Sequence, residues 1–189
     1  MVSEIAEALP IFETARLRLR ALRDDDAEAL LVLHGDPRVM RYWSTSPWTD
    51  IAQAHAHLQR ARRDMETAGV LAWAIANRDD DRLIGAATLF NISTSHRRAE
   101  IGYALASAQW GKGLGREALT AVLQHAFGAL QLERVEADTD PRNAPSLRLL
   151  EGLGFVREGL LRRRWFVADE WCDTAFYGLL RKEFRDTSA

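Results

Sequence analysis

Polar and apolar residues alternate from Arg16 to Arg20, the period of a half-buried strand. Asp24, Asp25 and Asp26 follow, then Ala27, Leu30 and Leu31 at helical spacing. Acidic residues in a first turn complement the helix dipole, so the three aspartates read as a helix start rather than a metal site. Ile51, Ala54, Leu58, Ala61, Met65 and Ala68 step by three and four, which predicts an amphipathic helix. Between the two helices, residues 36–49 carry no period and hold Pro37, Pro47, Trp43 and Trp48.

Apolar runs of strand length occupy 70–76 and 83–90, and the polar turn between them predicts a hairpin. Residues 99–105 alternate again, with Ile101, Tyr103 and Leu105 on one face. A glycine-rich turn leads into a helix striped by Leu119, Leu123, Ala126, Phe127 and Leu130. Then come a strand over 132–138, a short helix over 146–153 ended by Gly154, and two closing strands over 155–166 and 171–181. This order predicts a mixed α/β layer around a largely antiparallel sheet. No repeat, low-complexity tract or linker interrupts it, so a single domain over 1–189 with its core at about 12–184 is expected.

Composition narrows the function classes. Of 189 residues, 47% are hydrophobic and 28% charged, as in ordinary globular proteins, and the formal net charge is −2. That balance advertises neither a nucleic-acid nor an anionic-membrane partner. No apolar run approaches the roughly 18 residues of a membrane helix, and residues 1–10 carry Glu4 and Glu7 without a basic lead-in, unlike a signal peptide. The one cysteine, Cys172, cannot form an internal disulfide, so a reducing, cytoplasmic location is expected.

The segment richest in chemistry is Gln109-Trp-Gly-Lys-Gly-Leu-Gly-Arg-Glu117, between a strand and a helix. Glycines let backbone approach a ligand closely, and the free N–H groups of a helix start suit a phosphate. Arg116 and Glu117 after Gly115 break the Walker pattern, and Arg116 occupies the third glycine position of a Rossmann fingerprint. A pyrophosphate loop for coenzyme A and a purely structural tight turn both remain.

Three segments resemble the GCN5-related N-acetyltransferase (GNAT) family: Glu100 to Leu105 its central strand, Trp110 to Ala118 its pyrophosphate loop, and Asn143 to Phe155 its Asn-x-x-Ser helix ending in Gly-Phe. The opening Glu13-Thr-Ala-Arg-Leu-Arg-Leu19, the closing Trp171 to Leu180, and Trp110 where the wider family carries Arg or Gln resemble the RimJ/RimL-like ribosomal-protein branch. The resemblance implies a three-layer GNAT fold, its mostly antiparallel sheet splayed between the fourth and fifth strands and covered by helices on both faces. It implies acetyl-CoA as co-substrate and no metal. The pantetheine arm would pair with backbone near Leu105, Ala106 and Ser107, and backbone N–H groups of Gly111, Lys112, Gly113, Leu114, Gly115 and Arg116 would hold the pyrophosphate. Members of this branch are often dimers, so a homodimer is an expected assembly.

Direct attack of an amine on the thioester needs a base, an oxyanion donor and an acid for the thiolate. A backbone N–H around Leu105 suits the oxyanion. Glu100 is the candidate base, the alternative being a surface charge beside Arg97 or Arg98; strand parity sets it opposite Tyr103. Ser146 is the candidate acid, placed near the sulfur by the resemblance, with Asn143 beside it as a cofactor contact or only a helix cap. Tyr177 is a further tyrosine candidate or a packed strand residue. By the resemblance Trp43 and Trp48 line the acceptor side, and we expect them to share a substrate pocket with Tyr103. His55 and His57 lie on different sides of a helix, His34, His96 and His125 form no ligand pattern, Cys172 is unmarked as a nucleophile, and Arg162 to Arg164 read as a solvated strand side. The expected activity is N-acetyltransfer to a protein N-terminus or a small amine. The rivals are a non-catalytic acyl-CoA-binding module and a dinucleotide oxidoreductase; the missing third glycine and the strand order count against the latter.

Overall fold

The computed structural model describes residues 9–185, so most of the amino-terminal segment read above lies outside it. In chain order the strands are β1 (Phe12–Glu13), β2 (Leu17–Ala21), β3 (Leu71–Asn77), β4 (Leu83–Ser93), β5 (Arg98–Leu105), β6 (Arg134–Thr139), β7 (Val156–Val167) and β8 (Glu170–Leu180). The helices are α1 (Ala27–Gly35), α2 (Pro37–Met40), α3 (Ile51–Thr67), α4 (Leu114–Phe127) and α5 (Ala144–Gly152).

Local chemistry accounts for the helix starts. Asp24–Asp26 form a single 3-10 turn ahead of α1. The Asp26 carboxylate accepts the Arg23 N–H at 2.8 Å and both terminal nitrogens of Arg20 at 2.8 and 2.9 Å. Arg20 and Asp26 are both buried, so this two-pronged pair ties the helix start to β2. Asp50 and Gln53 cap α3 reciprocally: the Asp50 carboxylate accepts from Ala52 N–H and Gln53 Oε1 accepts from Asp50 N–H. The region without a period, 36–49, does contain one helical turn, because Asp36 accepts the Arg38 N–H at 2.9 Å and Pro37 presets the first helical position.

The eight strands order as β1-β2-β3-β4-β5-β6-β8-β7, antiparallel throughout except at β5–β6. That parallel pair lasts only from Arg98↔Arg134 to Glu100↔Glu136. Past Glu100 the two strands part, which is the expected splay; the short β1 adds one to the expected strand count. One apolar cluster fills the face under α4 and α5, with Ile101, Leu119, Leu123, Leu150 and Tyr177. A second lies on the other face under α1 and α3, with Leu30, Leu33, Leu58 and Ala104. The alternation of β5 sends Ile101 to the first and Ala104 to the second. Beyond the body, β7 and β8 continue as a hairpin that exposes Leu160, Leu161, Trp165, Phe166 and Trp171. Among the described residues no helix is long and apolar enough to cross a membrane.

Candidate functional site

The site lies where β5 leaves β6. On the β4 side, Ala106 N–H donates to Ile84 O at 2.8 Å. Because antiparallel bonding alternates, this pairing turns the N–H and C=O groups of Tyr103 and Leu105 the other way, towards β6. Glu133 N–H donates to Arg97 O at 2.7 Å, the same parity at the strand's start. The last paired residues are Glu100 and Glu136, so β6 does not answer these groups at Tyr103 and Leu105. Leu105 O accepts the Trp110 indole N–H at 2.7 Å. Ala106 O accepts Gln109 N–H, and the Ser107 hydroxyl donates to Asp36 at 2.5 Å. Leu105 O and both backbone groups of Ala106 are thus bonded locally, while Leu105 N–H, like the backbone groups of Tyr103, is turned towards the splay.

On the α5 side of the cleft, the hydroxyls of Tyr103 and Ser146 lie 2.8 Å apart. Asn143 Oδ1 accepts the Ser146 N–H at 3.2 Å, capping α5 and setting the serine at its first turn. Burial pushes the Tyr103 phenol up to about 12, against the opposing hydrogen bond of Ser146, so it stays neutral across the physiological range. Tyr103 therefore does not join Trp43 and Trp48, which pack in the cluster on the opposite face. The expectation of a shared pocket fails because successive strand residues point to opposite faces and β5 has no bulge from Glu100 to Leu105.

Between β5 and α4 the chain makes the glycine turn. Gly111 and Gly113 have φ of +75° and +78°, a region costly for residues with a Cβ. Nothing lies within 4 Å of where a Gly111 Cβ would stand, so the cradle is open there. Helix α4 starts at Leu114, and Glu117 N–H makes the bond to Gly113 O at 3.1 Å; the N–H groups of Leu114, Gly115 and Arg116 have no intrahelical partner. These donors, with the helix dipole behind them, fit a pyrophosphate. Gly115 has a different role: a Cβ there would stand 3.2 Å from Leu149, so its lack of a side chain lets α5 pack close. The side chains of the loop are spent elsewhere, Lys112 on Gln109 at 2.9 Å and Arg116 on Gly152 O at 2.7 Å.

On the opposite face, Glu100 Oε1 accepts from Asn91 Nδ2 at 2.9 Å. Its two arginine neighbours in sequence are committed to other acids, Arg97 to Glu133 and Arg98 to Glu136. Register brings a residue that sequence reasoning missed: Glu100 pairs with Glu136, so Asp138, two further along β6, shares its face at the splay. Desolvation first, then the charge of Glu100, push the Asp138 carboxyl above its usual range, with Arg164 opposing. The alternation Glu136-x-Asp138 is visible in the sequence, but not which strand it adjoins.

Trp43 and Trp48 both pack on His34, at 5.6 Å edge-on and 4.3 Å between ring centres, and His57 closes the group 5.4 Å from Trp48. His34 is buried, its Nε2 has no hydrogen-bond partner among the described residues, and burial, then His57, pull it down to about 4. Tyr177 is buried and donates to Glu151 at 3.1 Å, a packed strand residue. Cys172 accepts from Arg142, and Arg162 to Arg164 stand exposed on the β7–β8 hairpin. Among the described residues no three His, Cys, Asp or Glu side chains are grouped to hold a metal ion.

Comparison with known proteins bears on this geometry. The family model described as "Acetyltransferase (GNAT) domain" matches residues 16–156. A Bacillus licheniformis protein described as uncharacterized N-acetyltransferase p20 is 36% identical over 90% of this chain and 96% of its own. The spermidine N(1)-acetyltransferase of Vibrio cholerae is 26% identical over 92% of this chain and 98% of its own. Among solved structures, Mycobacterium smegmatis RimJ in complex with CoA-disulfide superposes with a TM-score of 0.80 at 29% identity, covering 91% of this chain and 85% of that one.

Proposed function

Since the chain belongs to the GNAT acetyltransferase family and is thereby an acetyl-CoA-dependent acyltransferase, we propose that it acetylates a primary amine arriving as its ammonium, with acceptor and cofactor meeting from opposite faces of the splayed sheet. The observation that carries this reading is the division of polar groups by strand parity. The hydroxyl pair Tyr103–Ser146 lies on the α5 side and the carboxylates Glu100 and Asp138 on the other.

Acetyl-CoA supplies the acetyl thioester. The donors at the start of α4 and the open backbone at Gly111 hold its pyrophosphate. The Glu100–Asp138 pair takes the ammonium proton, directly or through water, and the raised Asp138 carboxyl narrows the gap to the amine it must deprotonate. As the N–C bond forms, Leu105 N–H stabilises the oxygen that gains charge. As the C–S bond breaks, Ser146 gives its proton to the sulfur and regains one from Tyr103; the amine nitrogen, cationic once it has added to the carbonyl, loses its second proton to solvent, and solvent returns one to the Tyr103 oxygen. A lone serine is a poor acid; a neutral phenol 2.8 Å behind it supplies the missing proton.

We assign the RimJ/RimL-like branch on the RimJ likeness and on Trp110, whose indole bond to Leu105 O braces the strand end that carries the proposed oxyanion donor. A reducing cytoplasm suits the single thiol, Cys172. The deciding experiment is titration calorimetry with acetyl-CoA, followed by thiol release with two acceptor panels, spermidine with other polyamines and peptides with free N-termini. One-site binding with thiol release on either panel supports the reading. Binding without release on any amine makes the protein an acyl-CoA-binding module, and no binding by folded protein overturns both.

A further inference from the structure

Arg16 and Glu117 meet from distant parts of the chain. Arg16 precedes β2, and Glu117 sits in the first turn of α4, 101 residues later. The Glu117 carboxylate accepts from the Thr14 hydroxyl at 2.6 Å, from Arg16 N–H at 2.8 Å and from Arg16 Nε at 2.7 Å, with Arg16 Nη2 at 2.6 Å. The same guanidinium donates through Nη1 to Lys112 O at 2.8 Å, inside the glycine turn. Partial burial pushes the Glu117 carboxyl up, but the bonds from Thr14 and Arg16 outweigh it and hold it below the usual range.

The geometry assigns Arg16 and Glu117 as positioning residues for the pyrophosphate loop, an inference that rests on the acetyl-CoA reading above. No peptide among the described residues is cis, and in a trans peptide the C=O and the following N–H point in opposite directions. Drawing Lys112 O onto Arg16 therefore aims Gly113 N–H away from Arg16, to the loop's other side. There it adds to the donors of Leu114, Gly115 and Arg116. Glu117 holds the guanidinium in place for this, and its own N–H ties Gly113 O into the helix start. One charged pair thus fixes both ends of the Gly113 residue, in the αL conformation where backbone is least self-sufficient. Through this clamp the opening Thr14-Ala-Arg16 bears on a turn 101 residues further along the chain.

The test is calorimetry on the full chain, comparing wild type with Arg16→Met and Glu117→Gln. Both ligands are used: acetyl-CoA directly, and ADP, which carries a pyrophosphate without the pantetheine, by competition. The expected result is a Kd for acetyl-CoA about tenfold higher in each variant, the loss of an aimed donor to a charged group, with ADP weakened by the same factor. The fitted number of sites reports the folded fraction separately, so a variant that partly unfolds loses sites while its remaining sites still report Kd; Glu117→Gln keeps the side-chain shape if Arg16→Met folds poorly. An unchanged Kd in both variants, or weakened acetyl-CoA with ADP unaffected, overturns the positioning role. Wild type that binds no acetyl-CoA overturns instead the reading on which it rests.

Discussion

The Tyr103–Ser146 contact concentrates what single residues contribute to the proposed chemistry. A serine hydroxyl at a helix start is unremarkable alone; a buried phenol at hydrogen-bond distance changes its capacity to give up a proton. Ser146→Ala should lower kcat about a hundredfold and Tyr103→Phe about tenfold, within the range of lost acid catalysis. Because the two act in series, the double variant should be no slower than Ser146→Ala alone. Steady-state rates at saturating acetyl-CoA check this, and additive losses would break the relay. Glu100→Gln should lower kcat/KM between about tenfold and a hundredfold. It should also move the limb that rises with pH to lower pH. The sign follows from the observed coupling: the charge of Glu100 raises Asp138, so removing it lets Asp138 lose its proton earlier. A pH–rate profile unaltered in height and position would remove the pair from catalysis. Glu100 was legible from the residues as a candidate; Asp138 was not, because its relevance depends on the neighbouring strand's register.

At the scale of elements, the glycine turn was the most legible feature. Its signal is local: positive φ at Gly111 and Gly113 restricts those positions to glycine whatever the rest of the fold does. Gly113→Val forces a β-branched residue into φ near +78° and sets its Cβ 3.5 Å from Arg16 Nη2. We expect a KM for acetyl-CoA raised about tenfold, as strain of 1–3 kcal/mol implies, with kcat of the folded fraction little changed. Donor-saturation curves measure this, and a normal KM would show that the turn does not face the cofactor. The third glycine looked the same in sequence and proved different, since Gly115 serves the packing of Leu149. The turn within 36–49 was illegible for the opposite reason: four residues, Pro37–Met40, are too few to display a period.

Across the whole molecule, the two apolar clusters make the sheet a partition, and the second of them holds a group that couples fold to pH. His34 is buried against Trp43, Trp48 and His57 and titrates near 4, where an exposed histidine titrates near 6.5. Between those values the unfolded chain binds a proton that the folded chain refuses. Stability therefore stands in full above pH 6.5 and is lost as pH falls towards 4, by up to about 3 kcal/mol. His57, also pulled down by burial, acts in the same direction. Urea unfolding at pH 7 and pH 5 should show the loss, and His34→Phe should reduce it; equal stability at the two pH values would mean the cluster opens to water.

What the chain's sequence determined by itself was everything carried by near neighbours. Element order follows from hydrophobic period, the helix start at Asp24–Asp26 from charge, the loop from glycine backbone freedom, and the family resemblance from short motifs in order. What only the tertiary structure decided is which side chains meet. Tyr103 reaches Ser146 across 43 positions, Arg16 reaches Glu117 across 101, and Glu100 gains Asp138 through a three-residue parallel pairing. Parity does show in the sequence that Glu100 and Tyr103 oppose each other, but not what waits on either face. The physical reason is that periodicity and backbone strain are properties of a few consecutive residues, whereas register and layer contacts arise when distant segments bury their apolar faces together, and a shift of one residue in any strand would send every partner to the other side.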